Sequence, residues 1–418
     1  MSDSTSDVIV IGGGVIGLSC ALYLLKAGAS VRVIERAQVG AGASHGNCGT
    51  ITPSHIAPIT APGAVGRALR SLWRRDAPLH VSPWPDPARF AWLAGMTKFC
   101  NWAEFSRIAE ARSALLQRSR TVLDELLEIE QIDAGMQRTG TLYVYRDGRQ
   151  LQSEQWHAEW LQRLGTAVQV LDGDELAAME PALADGVAGG FFHPDDASLR
   201  PEKLVAGLAE RVRVLGGHIE ERMPVRHLQT RSRAITRVDT KRGRFRAERV
   251  VLAAGAWSPK LARQLGLHLP MQPGKGYSLT FSPSSQMPQR PLSLREASVC
   301  VTGWSDGLRL GSTMEFSGYD KRMNTRRLEA IRRAAATYLK VSEGPELTER
   351  WWGWRPMVQD ELPLIGPSAR WSNLMLATGH GMLGMSMAAA TAELVAGLCA
   401  GPAPLLDPSP YAPSRFGL

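Results

Sequence analysis

Apolar and polar positions near the start of the chain alternate between the spacing of a strand and that of a helix. Residues 7–11 form a short run rich in β-branched side chains, as is typical of a strand buried on both faces of a parallel sheet. Glycines follow, and residues 15–27 then have the apolar spacing of a helix that Gly28 would end. Residues 30–34 form a second apolar run, which stops at Glu35. These elements predict a βαβ unit of about 30 residues at the N-terminus.

The rest of the chain leaves this pattern twice and returns to it. Up to about Gly140 the sequence is helical and rich in turns, and short alternating strands such as residues 141–145 follow. A buried-strand run returns at residues 249–254, and residues 374–377 form a strand that precedes a long terminal helix. We therefore predict an α/β fold with a discontinuous Rossmann-type domain and a second α+β domain built on an antiparallel sheet. The proposed boundaries are 1–60, 196–260 and 345–418 for the first domain, and 61–195 and 261–344 for the second.

The composition indicates a folded protein. Of its 418 residues, 44% are hydrophobic and 21% are charged, as in packed soluble domains. The N-terminal residues lack the basic flank and apolar core of a signal peptide, so we expect a cytoplasmic location. The apolar stretch that begins at Met382 is interrupted by Glu393, and we interpret it as a buried helix rather than a membrane span.

The cysteines suggest neither disulfides nor a metal site. They are odd in number and never spaced as CxxC, and we expect reduced thiols. No cluster of cysteine, histidine and aspartate has the spacing of metal ligands, so we expect no bound metal. The five cysteines are Cys20, Cys48, Cys100, Cys300 and Cys399.

The net charge of +8 would attract an anionic partner without identifying one. One stretch combines basic and tryptophan residues, namely Arg67, Arg70, Trp73, Arg74, Arg75, Trp84, Trp92 and Trp102. This basic, tryptophan-rich stretch is either part of the core with a solvated basic face or a site of peripheral contact with a membrane. The chain has neither a dense basic tract nor an RNA-binding module, so we expect no nucleic-acid partner.

The turn after the first strand fits the GxGxxG pattern of a dinucleotide-binding loop. Gly12 allows a tight turn, Gly14 lets a pyrophosphate approach, and Gly17 lets the helix pack closely on the strand. Val15 and Ile16 open the helix, whose free N–H groups would face the phosphates. Glu35 ends the second strand, where its carboxylate can accept hydrogen bonds from ribose hydroxyls and would repel a 2′-phosphate.

Further glycine-rich turns at strand ends favour FAD over NAD, because an extended flavin cofactor needs more backbone contacts. One turn contains Ser44, Asn47, Cys48 and Gly49, and a second contains Ala254 and Gly255. A third opens the last helix and contains Gly379, His380, Gly381, Met382, Leu383 and Gly384. An NAD-dependent dehydrogenase is the alternative.

Motifs spread from one end of the chain to the other strengthen the FAD interpretation. They are Gly12–Gly17 with Glu35 and Arg36, Asn47–Gly49 with Ala61–Gly63, Gly274–Ser278, Gly353–Pro356, Leu362–Gly366 and Gly379–Gly381. Together they resemble the FAD-dependent D-amino-acid oxidase superfamily, most closely the bacterial D-amino-acid dehydrogenases of the small-subunit type. The resemblance covers essentially the whole chain.

The resemblance implies an FAD-binding domain and a substrate domain, with FAD held in extended form. The adenine would lie near Glu35 and the backbone clamp at Val225, and the start of the last helix would point at the N1–C2=O edge of the flavin. Its positive end would stabilise the negative charge that a reduced flavin carries there. No cysteine offers a clear attachment point, so we expect non-covalent FAD.

Three residues are candidates for the substrate pocket. By the resemblance, Arg355 of the Gly-x-Arg-Pro motif would bind the substrate carboxylate bidentately, with a surface salt bridge as the alternative. Tyr277 either binds the same carboxylate or is a buried tyrosine with a structural partner. His55 stands where the dehydrogenases tend to carry a tyrosine, which puts broad D-amino-acid specificity in doubt.

The predicted reaction is oxidative deamination of a small D-amino acid. A hydride would pass from Cα–H to flavin N5 to give an imino acid, and electrons would pass to a quinone or another respiratory-chain acceptor. The enzyme would then work in the cytoplasm or at the cytoplasmic face of the inner membrane. Alternatives are a dehydrogenase specific for D-proline or cis-4-hydroxy-D-proline, an oxygen-using amino-acid or glycine/sarcosine oxidase, and a basic flavoprotein that acts on RNA.

Overall fold

The computed structural model describes residues 3–66, 77–399 and 402–418. Five members of the basic, tryptophan-rich stretch, namely Arg67, Arg70, Trp73, Arg74 and Arg75, lie outside the described residues. The described chain folds around two sheets, whose strands and helices are numbered separately in chain order.

The strands are β1 (Asp3–Ile11), β2 (Val31–Ile34), β3 (Thr50–Ile51), β4 (Leu79–Val81), β5 (Thr141–Tyr145), β6 (Gln169–Asp172), β7 (Gly189–His193), β8 (Ala197–Ser198), β9 (His218–Glu220), β10 (Val225–Arg231), β11 (Ala234–Thr240), β12 (Arg244–Leu252), β13 (Met271–Phe281), β14 (Leu292–Leu294), β15 (Val299–Trp304), β16 (Gly307–Phe316), β17 (Leu347–Val358), β18 (Leu364–Pro367) and β19 (Leu374–Thr378). The helices are α1 (Val15–Lys26), α2 (Pro87–Met96), α3 (Trp102–Ile129), α4 (Gly148–Arg163), α5 (Gly173–Met179), α6 (Pro201–Val214), α7 (Ser258–Ala262), α8 (Thr325–Tyr338) and α9 (Gly384–Cys399). Short 3₁₀ turns occur at Thr97–Phe99, Gly255–Trp257, Arg263–Leu265, Ser409–Tyr411 and Pro413–Phe416.

The first sheet has a parallel centre in the order β9-β2-β1-β12-β19. β18 pairs antiparallel with β19, and the β10–β11 hairpin attaches to the first half of β12. β1 begins four residues before the predicted strand, because Asp3–Ser6 pair with residues 244–247 of β12. The predicted βαβ unit is therefore present at the centre of this sheet.

Both faces of β1 are buried, which explains its continuous apolar run. Val8 and Val10 belong to a core cluster with residues of α1, α6 and α9, whereas Ile9 and Ile11 belong to a cluster on the opposite face. Each of these side chains is at most 3% exposed. Full burial of one such side chain contributes roughly 1.5–3 kcal/mol, so this strand anchors the layers on both sides.

The second sheet is mainly antiparallel, in the order β17-β13-β16-β15-β14-β5-β7-β6, with β4 at the edge of β16. β13 and β17 pair from Met271 to Phe281, which brings Gly274 opposite Arg355. This arrangement confirms the predicted fold class, a parallel Rossmann-type sheet with a second α+β unit on a largely antiparallel sheet. In the described part of the chain, no helix has the length and apolarity needed to cross a lipid bilayer.

The proposed domain boundaries need one adjustment. Residues 347–358 fall in the first domain by the proposed boundaries, but they form β17 of the second sheet because β17 pairs along its length with β13. The last segment of the first domain would accordingly begin after residue 358. The two-domain division itself remains a proposal.

Substitution of Gly17 tests the close packing of α1 on β1. A Cβ at Gly17 would lie 1.9 Å from the carbonyl oxygen of Gly12, so the backbone of the loop or of α1 would have to move to make room for it. We expect Gly17→Ala to lower the free energy of unfolding by about 2 kcal/mol, although alanine is the better helix former. Urea unfolding of the purified holoprotein measures this change.

Gly148→Ala is the matched control, because a Cβ there meets only the Cβ of Ala188 at 3.9 Å. It should leave the unfolding midpoint unchanged or raise it slightly. Equal stability of the two variants would contradict the packing argument.

Candidate functional site

A cavity of about 1810 Å³ lies between the carboxyl ends of the parallel strands and the second sheet. Ligand pockets usually measure about 300–1000 Å³, so this cavity has room for a large cofactor and a substrate. Residues just beyond the ends of β1, β2, β12 and β19 line it, which is the expected ligand position in such a sheet. Of the residues predicted to bind cofactor or substrate, all but Gly17 and Gly379 line this single cavity.

The glycine-rich loop has the geometry that its sequence predicts. Gly12 has a φ of +119°, and a Cβ there would lie 2.4 Å from the carbonyl oxygen of Ala253. A Cβ at Gly14 would lie 3.1 Å from Ser44 Oγ, which accepts a hydrogen bond from the Val15 backbone nitrogen at 3.0 Å. The loop backbone therefore opens into the cavity at the N-terminus of α1, where anions are stabilised.

Glu35 and Arg36 form the wall beside this loop. The Glu35 carboxylate accepts hydrogen bonds from the backbone nitrogens of Gly13 and Ala37, each at 2.8 Å, and these fix its orientation. The Arg36 guanidinium lies 3.4 Å from the centre of the Trp257 ring, and burial lowers its pKa. Val225, Ala254 and Gly255 also line this end of the cavity.

The loop of residues 44–49 reaches across to the second sheet. Asn47 braces it internally, donating to the Ala43 carbonyl and accepting from the Gly49 nitrogen. Buried Arg309 donates to the Asn47 carbonyl oxygen at 2.9 Å, and Thr302 donates to that of Cys48 at 2.9 Å. These bonds hold the loop against β15 and β16.

Arg309 also explains a cluster of possible metal ligands. His45, Glu202 and Glu349 offer ligand atoms within 4.8 Å of one another. Arg309 Nη1 lies 2.9 Å from Glu202 Oε1, Arg309 Nη2 lies 3.5 Å from Glu349 Oε2, and His45 Nε2 lies 2.6 Å from Glu349 Oε1. The guanidinium and imidazole thus already pair with both carboxylates.

The turn before the last helix contacts the strand that carries Arg355. Gly381 donates its backbone N–H to the Pro356 carbonyl oxygen at 3.0 Å, next to Arg355. His380 Nε2 lies 2.9 Å from Thr391 Oγ1, and burial lowers the pKa of His380 to about 3, so it is neutral near pH 7. Met382, Leu383 and Gly384 place the N-terminus of α9 at the cavity wall, where a partial positive charge faces the lumen.

Arg355 is a cationic side chain of the cavity wall. Its Nη1 donates to the Thr313 carbonyl oxygen at 2.6 Å, and its guanidinium fills the space above Gly276, where a Cβ would lie 2.4 Å from Nη1. Among the described residues it makes no ion pair with a carboxylate. The remaining guanidinium nitrogens can therefore bind a carboxylate in the cavity.

Tyr277 has a partner inside the protein. Its hydroxyl donates to Glu315 Oε2 at 3.0 Å, and its side chain is 1% exposed. Arg327 Nε lies 3.2 Å and Lys275 Nζ lies 3.8 Å from the Glu315 carboxylate. In this structure the Tyr277 phenol positions a buried charge network, which fits the alternative considered for it.

His55 also lines the cavity. Its Nδ1 is 3.3 Å from the Tyr143 hydroxyl, and burial, helped by the charges of Arg112 and Arg295, lowers its pKa to about 3. The preceding Ser54 donates its hydroxyl to Asp196 Oδ2 at 2.7 Å and its N–H to Oδ1 at 3.1 Å. The buried carboxyl group of Asp196 thus fixes the segment that carries His55.

Several cavity residues were not predicted from the sequence. They are Tyr143, Arg295, Cys300, Thr313 and Trp354, and all lie on strands of the second sheet or beside them. An arginine directly after an apolar strand pattern, as at Arg295, was the signal that could have identified one of these polar positions.

Comparison with known proteins agrees with this geometry. Residues 7–398 match the family described as FAD dependent oxidoreductase. The chain is 32% identical over 417 residues to a D-amino acid dehydrogenase of Agrobacterium fabrum, covering 98% of this chain and 99% of that protein. It is 34% identical over 422 residues to a D-amino acid dehydrogenase of Methylobacterium sp., covering 98% and 99%.

Solved structures with the same fold include those of a glycine oxidase and an L-proline dehydrogenase. The crystal structure of glycine oxidase from Geobacillus kaustophilus has a TM-score of 0.78 and 25% identity, covering 99% of each chain. That of L-proline dehydrogenase from P. horikoshii has a TM-score of 0.75 and 20% identity, covering 99% of this chain and 98% of that one.

The buried Asp196 predicts a pH-dependent stability difference. Burial raises the pKa of Asp196 from 3.8 to about 7, so the folded protein retains a proton that the unfolded chain loses above about pH 4. The resulting cost grows as the pH rises through this range and is fully present above pH 7. We expect Asp196→Asn to raise the free energy of unfolding at pH 8 by on the order of 2 kcal/mol, with a gain that shrinks towards pH 5.

Urea unfolding at the two pH values measures this gain, and exposed Asp185→Asn is the control. An Asp196→Asn effect of the same size at pH 5 and pH 8 would argue against a raised pKa.

Proposed function

The chain belongs to the family of FAD-dependent oxidoreductases, and we propose that it is a D-amino-acid dehydrogenase that oxidises the Cα–N bond of its substrate. The observation that carries the proposal is the Arg355 guanidinium, which has no carboxylate partner among the described residues and lines the same cavity as the dinucleotide loop. The two relatives that are named D-amino acid dehydrogenase support it over nearly the full length of the chain.

The residues of the cavity fit FAD. The loop at Gly12 and Gly14 would hold the pyrophosphate at the N-terminus of α1, and Glu35 has carboxylate lone pairs left for ribose hydroxyls. The start of α9 supplies the partial positive charge that a reduced flavin requires. When bound there, FAD would supply the acceptor for the hydride from the substrate Cα. We propose that FAD binds non-covalently, because no cysteine was expected to attach it.

The residues of the chain perform binding, orientation and charge control. Arg355 binds the substrate carboxylate and thereby fixes the direction of Cα–H. The cationic side chains of Arg355 and Arg295 disfavour an ammonium group in the cavity, so the substrate amine is held in the neutral form that oxidation requires. Neutral His55 and His380 add no further positive charge to the cavity.

The electron acceptor is proposed to be a quinone or another component of the respiratory chain. Phe90 and Trp102 line the cavity and are 49% and 59% exposed, so they mark its opening, and nearby Trp84 is 75% exposed. Such aromatic side chains favour membrane interfaces. We propose that this aromatic rim, defined by Trp84, Phe90 and Trp102, contacts the cytoplasmic face of the inner membrane. Trp92, in contrast, is 4% exposed and belongs to the core.

Anaerobic reduction of the yellow holoprotein tests the reaction. Particular D-amino acids should bleach its visible absorbance, and D-proline, cis-4-hydroxy-D-proline and glycine should be included because the first two are secondary amines and the third is the substrate named for a structural neighbour. Bleaching only by L-amino acids, or by none, would overturn the proposal. Fast reoxidation in air would assign an oxidase instead.

Arg355→Lys tests, in the same assay, whether the Arg355 guanidinium binds the substrate carboxylate. Loss of a bidentate, charge-assisted contact costs about 3 kcal/mol, so we expect a KM for the best substrate that is about 100-fold higher. Arg350→Lys, an exposed change on the same strand, is the control. An unchanged KM in Arg355→Lys would show that Arg355 does not bind the substrate carboxylate.

Vesicle sedimentation tests the membrane contact. Vesicles of phosphatidylglycerol and phosphatidylethanolamine should bind the holoprotein at low salt, and the double variant Trp84→Ser, Phe90→Ser should bind several-fold less. Val214→Ser removes a side chain that is 58% exposed at the end of α6 and serves as control. Equal sedimentation of all three proteins would exclude the aromatic rim as the contact.

A further inference from the structure

Arg295 is a second cation of the cavity. It follows β14 directly and lines the same space as Arg355. Its Nε donates to the Tyr145 hydroxyl at 3.3 Å, and its guanidinium carbon lies 4.9 Å from the centre of the Tyr143 ring. Both tyrosines are at most 5% exposed, so the arginine is held against a rigid surface.

No carboxylate of the described residues forms an ion pair with Arg295. The adjacent Glu296 is already occupied, because it accepts the backbone N–H groups of Arg146 and Asp147, each at 2.9 Å, and the Tyr338 hydroxyl. Glu154 of α4 influences Arg295 electrostatically but makes no ion pair with it. The guanidinium therefore has donors to offer to a ligand.

The histidines around Arg295 do not compensate its charge. His55, His157 and His193 have pKa values of about 3, 4 and 3, lowered by burial first and by the charge of Arg295 in part. All three are neutral near pH 7, and neutral imidazole carries no negative charge. Burial opposes the charged guanidinium, but Tyr145, Tyr143 and Glu154 favour it more strongly and raise its pKa. Arg295 therefore stays cationic, and its free N–H donors can bind an anionic ligand group.

A short chain of hydrogen bonds connects Arg295 with the substrate end of the cavity. The Arg295 carbonyl oxygen accepts from Ser298 N at 3.1 Å, and the Ser298 carbonyl oxygen accepts from Ser312 Oγ at 2.7 Å. The next residue, Thr313, accepts the 2.6 Å bond from Arg355. The two arginines therefore stand on one continuous wall, and a molecule bound to Arg355 by one carboxylate has a second cation along that wall.

We propose that Arg295 binds a second carboxylate of the substrate, so that the preferred substrates are D-amino acids whose side chain ends in a carboxylate. This inference rests on the proposed dehydrogenase function and specifies its substrate class. Arg355 takes the α-carboxylate and Arg295 the side-chain carboxylate. The neutral amine lies between two cations, which together match the two negative charges of the substrate.

Matched acidic and amide substrates test the inference. In the wild-type holoprotein, kcat/KM should be at least about tenfold higher for D-glutamate than for D-glutamine, or for D-aspartate than for D-asparagine, since a charge-assisted contact is worth about 1.5–3 kcal/mol. In Arg295→Gln the acidic-to-amide ratio should fall towards 1, mainly through KM of the acidic substrate. Arg295→Lys should restore part of the ratio, and Arg163→Gln, an exposed change on α4, should leave it unchanged.

A binding assay supplies a readout without turnover. Glutarate should perturb the flavin spectrum at a concentration at least about tenfold lower than butyrate does, and Arg295→Gln should remove the difference. The FAD content and melting temperature of each variant identify misfolding. The comparison of acidic with amide substrates in the wild-type protein needs no variant.

Two results would overturn the inference while leaving the dehydrogenase function intact: oxidation of D-glutamine or D-alanine at least as efficient as that of D-glutamate and D-aspartate, or an Arg295→Gln effect of equal size on acidic and amide substrates. Failure of every D-amino acid to reduce the flavin would overturn the function and the inference together.

Discussion

Arg309 lies where the two sheets meet, and the geometry of the cavity depends on it. This side chain is 2% exposed, yet it binds the carbonyl oxygen of Asn47 on the cofactor side and pairs with Glu202 and Glu349. Its loss would leave the Asn47 carbonyl oxygen without this donor and the half-buried Glu202 and Glu349 carboxylates without this cation, which would loosen the contact between the loop and the second sheet. The loop of residues 44–49 is thereby held against the second sheet, and the cofactor and substrate ends of the cavity keep their relative position.

The charge distribution of the cavity follows from burial. Desolvation keeps His55 and His380 neutral, whereas Arg295 and Arg355 keep their charge because a guanidinium does not deprotonate in a protein. The positive ends of α1 and α9 point into the same space. In the part of the chain that the structure describes, no carboxylate forms an ion pair with either arginine, which suits a substrate bound by carboxylate.

The local parts of the site could be predicted from the sequence because each depends on neighbouring residues. Gly12 has a positive φ, and a Cβ there would lie only 2.4 Å from the Ala253 carbonyl oxygen, so only glycine fits this position. The run from Asp7 to Ile11 predicts a central strand. The length of the βαβ unit alone then places Glu35 at the end of the second strand. Motifs of this kind also carried the family resemblance, which the full-length similarity confirmed.

What the sequence by itself determined is thus the fold class, the cofactor and the glycine-rich turns at strand ends that line the cavity, because short-range sterics and periodicity fix them. Only the tertiary structure decided which polar side chains face the cavity unpaired. From the sequence, Arg355 was the expected carboxylate ligand and Tyr277 had a structural role as its alternative. In the structure Glu315 accepts the tyrosine hydroxyl, and no described carboxylate pairs with the arginine. The tertiary structure also identified Arg295 as a cavity residue without an ion-pair partner. Its neighbours come from strands that are far apart in the chain, so the sequence alone does not show how far it is desolvated or whether it is paired.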